Sequence, residues 1–123
     1  MVYSGAIGDA GWNFVIDQAR KKAEQKFGMQ IPYVEGAAAP SDAERVMSQF
    51  AEQGCNEIFT TTNVYGDIPA KVAAKYPNVI IESEEGIVGG PPNMRIYRVP
   101  FWEPNYLLAI HAAVLRSFTS ETS

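Results

Sequence analysis

The chain has 123 residues, 46% of them hydrophobic and 20% charged, with a formal net charge of -4. That length and balance describe one folded domain with its own core and exclude a disordered chain. The acidic charge argues against nucleic acid as a partner, since phosphate binding needs a basic face, and the single cysteine, Cys55, excludes an internal disulfide or a cysteine-based zinc site.

Met1 to Ile7 reads as a strand and Trp12 to Lys26 as a helix, with Trp12, Val15, Ile16, Ala19, Ala23 and Phe27 on one side. Between them the turn Gly8-Asp9-Ala10-Gly11 lacks the lysine and spacing of a phosphate loop. Gly28 stands where a left-handed cap ends that helix. Gln30 to Glu35 reads as a second strand, and Gly36 to Pro40 as a small-residue loop. Ser41-Asp42-Ala43-Glu44 has the form of a capping box, opening a helix that buries Val46, Met47, Phe50 and Ala51 and stops at Gly54.

Glu57 to Thr60 reads as a buried third strand, followed by the polar run Thr60-Thr61-Thr62-Asn63 and a helix from about Tyr65 to Tyr76. Pro77 stops that helix. Asn78 to Glu82 is the expected fourth strand, and Ser83 to Asn93 a glycine- and proline-rich loop in which Glu84 and Glu85 are solvated. Met94 to Val99 is the fifth strand, Pro104 to about Arg116 the last helix, and Ser117 to Ser123 a frayed polar tail. No apolar stretch is long enough to span a bilayer, and the first residues lack a signal-peptide pattern.

Alternating strands and helices with short connections predict an α/β domain: a three-layer, flavodoxin-like parallel sheet in the order 2-1-3-4-5. Such sheets hold ligands at the carboxyl ends of their strands, where the order reverses between strands one and three. The loops that meet there carry Asp9, Trp12 and Asn13 on one side and Thr61, Thr62, Asn63 and Tyr65 on the other.

An acid, an amide and an indole together suit a small polar ring. Asp9 either accepts hydrogen bonds from a ligand amine or hydroxyl or caps the helix that follows. Trp12, at a helix start beside an open crevice, favours stacking over core packing. Asn13 either bonds a ligand or sits solvated, and the threonines suit a strand as well as hydroxyl donation. Phe101, Trp102 and Glu103 follow the fifth strand, and one of the two aromatics is expected in the crevice. His111 is flanked by apolar helix residues and has no partner at metal spacing. With no nucleophile elbow and no paired acids of a glycosidase, the expectation is binding without catalysis, metal or cofactor.

The series Gly8-Asp9-x-Gly11-Trp12-Asn13, Asp17-Gln18-x-Arg20, Tyr33-Val34-Glu35 and Asp42-Ala43-Glu44-Arg45-Val46 resembles the basic membrane protein family, substrate-binding proteins of ABC transporters. The similarity continues through Gln53-Gly54, Ile58-Phe59, Tyr65, Lys71-Val72-Ala73, Tyr76-Pro77-x-Val79 and Glu103-x-x-Tyr106-Leu107-x-Ala109. The resemblance implies one lobe of a type I periplasmic-binding-protein fold, a purine base or nucleoside as ligand, a transporter permease as partner, and an extracytoplasmic, lipoprotein-type location. It assigns stacking to Trp12, polar contacts to Asp9 and Asn13, and an acid after strand five to Glu103. Family members are roughly twice this length or more, so the chain is expected to be an amino-terminal lobe that starts part-way into strand one and lacks its second lobe. The rival expectation is a half-domain that dimerises through its crevice face and has no ligand of its own.

Overall fold

The structure, a computed structural model, describes residues 1–86, 88–100 and 102–120. Helix α1 (Trp12–Phe27) ends at Gly28, whose φ of 64° supplies the expected left-handed cap. Helix α2 (Pro40–Glu52) starts ahead of the expected capping box. Pro40 takes the first helical position, which suits its fixed φ and missing N–H, so Ala39 is the cap residue and Ser41 lies inside the helix.

Strand β1 (Glu57–Thr60) has the expected bounds. A 3-10 turn over Asn63–Tyr65 then replaces the start of the expected helix, and Gly66, at a φ of 56°, separates it from α3 (Ile68–Lys75). Strand β2 (Ile80–Glu84) lies two residues later than predicted. The reason is a turn at Pro77 and Asn78, closed by the Val79 N–H on the Tyr76 carbonyl at 3.0 Å. Glu84 is therefore a buried strand residue and not part of a solvated loop. Strand β3 (Met94–Tyr97) follows, then helix α4 (Trp102–Ser120), which runs into the segment expected to fray.

The three strands are parallel, in the order β1-β2-β3. Val2 bridges Thr60 on one side and Val34 on the other, both in parallel. Across the sheet the order is thus the Val34 segment, the Val2 segment, β1, β2, β3, which is the 2-1-3-4-5 arrangement. The first two members are single bridges where strands Met1–Ile7 and Gln30–Glu35 are predicted. Pro32 has no N–H to contribute to a ladder, and the chain leaves the sheet after Tyr3 to form the turn that precedes α1.

Helices α2 and α3 pack on each other and on β1 and β2. Ala43, Val46, Met47 and Phe50 of α2 and Ile68, Val72 and Ala73 of α3 close over Val2, Ile58 and Ile81. Successive strand residues point to opposite faces. Val2 enters this core, so Tyr3 turns away from it, toward Asp17 of α1.

Helix α1 is rotated from the expected orientation: of the expected inward side Trp12, Ile16 and Ala23 are half-buried, and Val15, Ala19 and Phe27 are exposed. It buries Asn13, Asp17 and Arg20, whereas Val15 and Phe27 are 63% and 67% exposed. The inward stripe is tolerated because its charges are paired. Arg20 lies 2.8 Å from Asp17 and 2.9 Å from Glu24, Lys21 reaches Asp17 at 2.8 Å, and the Arg20 guanidinium stacks 4.2 Å from the Tyr33 ring centre. Glu24 also accepts the Ile31 N–H at 2.8 Å. Positions 13, 17, 20 and 24 follow helical spacing, so the stripe is as regular as an apolar one. Helix α4 is exposed along Trp102–Arg116, apolar residues included.

Candidate functional site

The loops at the carboxyl ends of the strands, where the ligand crevice is predicted, are fixed to one another by a chain of hydrogen bonds. Asp9 is their organiser. Its Oδ1 accepts the N–H groups of Gly11 at 2.7 Å and Phe14 at 3.1 Å, and its Oδ2 accepts the Asn13 N–H at 3.2 Å and the Asn13 side-chain amide at 3.0 Å. These are free amides of the α1 amino terminus, a favourable place for a negative charge. The Gly11 amide above all, with the Phe14 and Asn13 donors, holds the Asp9 carboxyl below its ordinary value, against a smaller upward push from desolvation. Of the two roles the sequence left open, capping is thus realised. Ala10, at a φ of 53°, makes the tight return that brings the carboxylate over the helix end.

Asn13 is buried, and its Oδ1 has no hydrogen-bond partner. Gly5 leaves room for it: a Cβ at that position would stand 2.8 Å from the Asn13 amide nitrogen. Trp12 is half-buried, and its indole N–H donates to the Thr61 carbonyl at 2.6 Å. This bond joins the loop before α1 to the loop after β1, across the point where strand order reverses.

The remaining predicted residues divide between crevice and core. Thr61 is fully buried, and its hydroxyl donates to the Val2 carbonyl at 3.1 Å, so at the crevice it offers its carbonyl and not its hydroxyl. Tyr65 is not a crevice residue in its exposure. It is 1% exposed among core side chains, its hydroxyl lacks a partner, and burial pushes that hydroxyl up to about 12. Thr62 accepts the Val64 N–H at 3.3 Å and starts the 3-10 turn. Asn63 is exposed and donates to Glu85 at 3.2 Å, joining the loops after β1 and β2. Glu103 is exposed in the first turn of α4, and Phe101 lies outside the described residues.

Three bracing residues carried no site signal of their own in the sequence. Glu35 accepts the Ile7 N–H at 2.9 Å and holds the first loop from the sheet edge. Glu85 bonds Asn63. Tyr97, on β3, donates to the Thr60 carbonyl at 2.7 Å, and burial, helped by Glu84 and Glu82, pushes its hydroxyl well up. Only Glu35 could have been found, as a member of the Tyr33-Val34-Glu35 motif. Among the described residues no cluster of histidine, cysteine, aspartate and glutamate could hold a metal ion, and no helix is long and apolar enough to cross a membrane.

Residues 1–117 match the family profile of PnrA-like ABC transporter substrate-binding proteins, Bmp. A purine-binding protein of Brucella abortus is 37% identical over 114 residues, covering 91% of this chain and 32% of its own length. A putative ABC transporter glucose-binding protein of Haloferax volcanii is 39% identical over 107 residues, covering 86% of this chain and 27% of its own length. The chain therefore spans about a third of the length of the curated relatives it matches. Among solved structures, an ABC transporter solute-binding protein of Conexibacter woesei superposes with a TM-score of 0.71 at 24% identity, over 79% of this chain and 33% of its own. A transcriptional activator of the comK gene of Bacillus halodurans superposes with a TM-score of 0.65 at 20% identity, over 77% of this chain and 32% of its own. At those identities the two structures speak for the fold, one lobe of a periplasmic-binding arrangement.

Proposed function

Because the chain belongs to the Bmp family of PnrA-like ABC transporter substrate-binding proteins, we propose that its crevice is one wall of a solute site for a purine base or nucleoside. The carrying observation is the indole of Trp12, held at the crevice by its 2.6 Å bond to the Thr61 carbonyl. A ring fixed along one edge is pre-organised to stack on a flat ligand.

The polar groups around it are Asn13, with an unpartnered Oδ1, and the exposed Asn63 and Glu103, while Thr62 shapes the loop. Asp9 acts through the helix end and Asn13. Phe101 is the second aromatic candidate. Thr61 and Tyr65 belong to the site as supports: the first by its carbonyl, the second from beneath. The purine reading is supported by the name of the Brucella relative, and the Haloferax relative makes a hexose the alternative to test. The location is extracytoplasmic, and a membrane permease is the partner that receives the solute.

A thermal-shift titration with adenine, guanine, adenosine, guanosine, inosine, ribose and glucose tests the reading. A ligand at a hundred times its Kd stabilises the fold by about 2.7 kcal/mol. The expected result is a saturable shift with a purine and none with glucose. A shift with glucose alone overturns it.

A further inference from the structure

The carboxyl end of β2 carries three acids, and they differ in their partners. Glu82 is paired with Arg95 at 3.2 Å. Glu85, where the chain leaves the sheet at a φ of 46°, accepts the Asn63 amide at 3.2 Å. Glu84 lies between them and is 4% exposed. Among the described residues it alone of the three has no hydrogen bond or ion pair. A buried carboxylate without a partner is costly. Desolvation, and then the charge of Glu85 beside it, pushes this carboxyl up from its ordinary value.

The strand places Glu84 at the crevice. Side chains alternate along a strand, and Ile81 enters the core under α2 and α3, so Glu82 and Glu84 point to the α1 side. Thr60, the last residue of β1, is level with Ser83. Glu84 therefore stands one residue further on, level with the loop whose Thr61 carbonyl anchors Trp12. Tyr97, its neighbour on β3, reaches across β2 to the Thr60 carbonyl at 2.7 Å, so its ring and that of Phe59, 6.3 Å away, border Glu84. The side-chain atoms sealed from solvent without a partner are Asn13 Oδ1, Thr60 Oγ1 and Tyr65 OH among the described residues. The Glu84 oxygens are not sealed, so the small exposed part of this residue includes its carboxylate. Asn13, 7% exposed at the start of α1, adds a second free acceptor at the same end and on the same side of the sheet.

We propose that Glu84 is a specificity-determining residue of this crevice, whose free carboxylate takes a pair of adjacent hydrogen-bond donors on the ligand. The proposal rests on reading the crevice as a solute site and names the ligand chemistry that site selects. An ionised carboxylate only accepts, through two oxygens side by side, and its strongest neutral match is two donors at the same spacing. Two parts of a purine nucleoside offer such a pair: the vicinal hydroxyls of ribose, and the ring N–H with the exocyclic amine of a guanine-type base. Binding then gives the buried carboxylate the partner that the fold withholds.

The test compares the parent chain with Glu84→Gln, a neutral isostere, by unliganded thermal midpoint and by isothermal calorimetry. The probes are guanosine, 2′-deoxyguanosine, which lacks the diol, inosine, which lacks the base amine, and glucose. The Gln variant is expected to melt a few degrees higher without ligand, because an unpartnered buried charge is gone, and to bind guanosine at least tenfold more weakly. That loss should vanish with one analogue: with 2′-deoxyguanosine where ribose supplies the donors, with inosine where the base does. A lower unliganded midpoint makes Glu84 a structural brace and overturns the proposal. Unchanged guanosine affinity overturns it too, as does an equal loss with all three nucleosides. A parent chain that binds glucose and no nucleoside refutes the purine reading alone. The adjacent hydroxyls of glucose then serve as the donor pair, and a tenfold loss in the variant upholds the role of Glu84 whereas equal affinity overturns it. Binding of none of the four overturns both.

Discussion

The two faces of the sheet are built by different physics. Under α2 and α3 the contacts are apolar: Met47, Ala73 and Ile81 are fully buried, and Val46, Ile58 and Val72 nearly so. Under α1 the contacts are polar: Tyr3, Asp17, Arg20, Glu24 and Tyr33 form one bonded network, and Phe14, Val15 and Phe27 of the helix are exposed. An apolar layer is non-directional and supplies stability. A polar layer is directional, and here it fixes the rotation of α1 and hence the place of Trp12 and Asn13 at the crevice. Stability and the geometry of the proposed site are thus assigned to opposite faces.

The largest expected effect lies on the apolar face. Met47→Ala should lower stability by about 2–5 kcal/mol, the range for truncating a buried long side chain. Val15→Ala, an apolar truncation on the exposed side of α1, should change it by about 0.5 kcal/mol or less. Urea unfolding of both variants checks the pair, and a comparable loss at Val15 would break the contrast.

On the polar face, Asp17→Asn should cost about 1–3 kcal/mol, the range for leaving a buried partner without its bond. Burial pushes the Asp17 carboxyl up, but the bonds from Lys21 and Arg20 outweigh it and hold the group below 3.8. A carboxyl lowered in the folded state stabilises above its unfolded value and loses that contribution as pH falls through the lowered one. The parent chain should therefore lose stability as pH drops below about 4, and the Asn variant should lose less over the same interval. Parallel acid titrations of the two would contradict the network.

Asp9→Ala should leave both layers standing and loosen their junction. The amides of Gly11 and Phe14 lose their acceptor, so their hydrogen exchange should accelerate while that of α2 stays unchanged. Uniform acceleration across the domain would mean that Asp9 supports the whole fold and not the loop. The smallest effect has the opposite sign. Tyr65→Phe removes a buried hydroxyl that has no partner, so stability should hold or rise by up to about 1 kcal/mol. Its ligand affinity should not change. A loss of affinity would return the Tyr65 hydroxyl to the crevice.

The apolar face was legible in the sequence because its code is periodic. Val46, Met47 and Phe50 repeat at helical spacing, and Ile58 sits in a short apolar run between polar flanks. The rotation of α1 was not legible, because two stripes compete on that helix. Val15, Ile16 and Phe27 make the hydrophobic one, and the bonds that favour the other come from Tyr3, Ile31 and Tyr33, remote in sequence. At the crevice, the meeting of the Asp9 and Thr61 loops followed from strand order. That Thr61 gives a carbonyl and Tyr65 packs beneath depended on which way each side chain turns, which local pattern does not encode. The late start of β2 has a local cause: Pro77 and Asn78 form a turn where strand propensity alone suggested a strand.

The central claim is that Trp12, anchored on Thr61, makes the crevice a stacking site for a purine. Isothermal calorimetry of the best purine of the panel with the parent chain, Trp12→Ala and Trp12→Phe tests it most directly. The account predicts a loss of about 1–3 kcal/mol for Trp12→Ala, as for a lost base–aromatic stack, with most of the affinity retained in Trp12→Phe. Equal affinity in the parent chain and Trp12→Ala would contradict it.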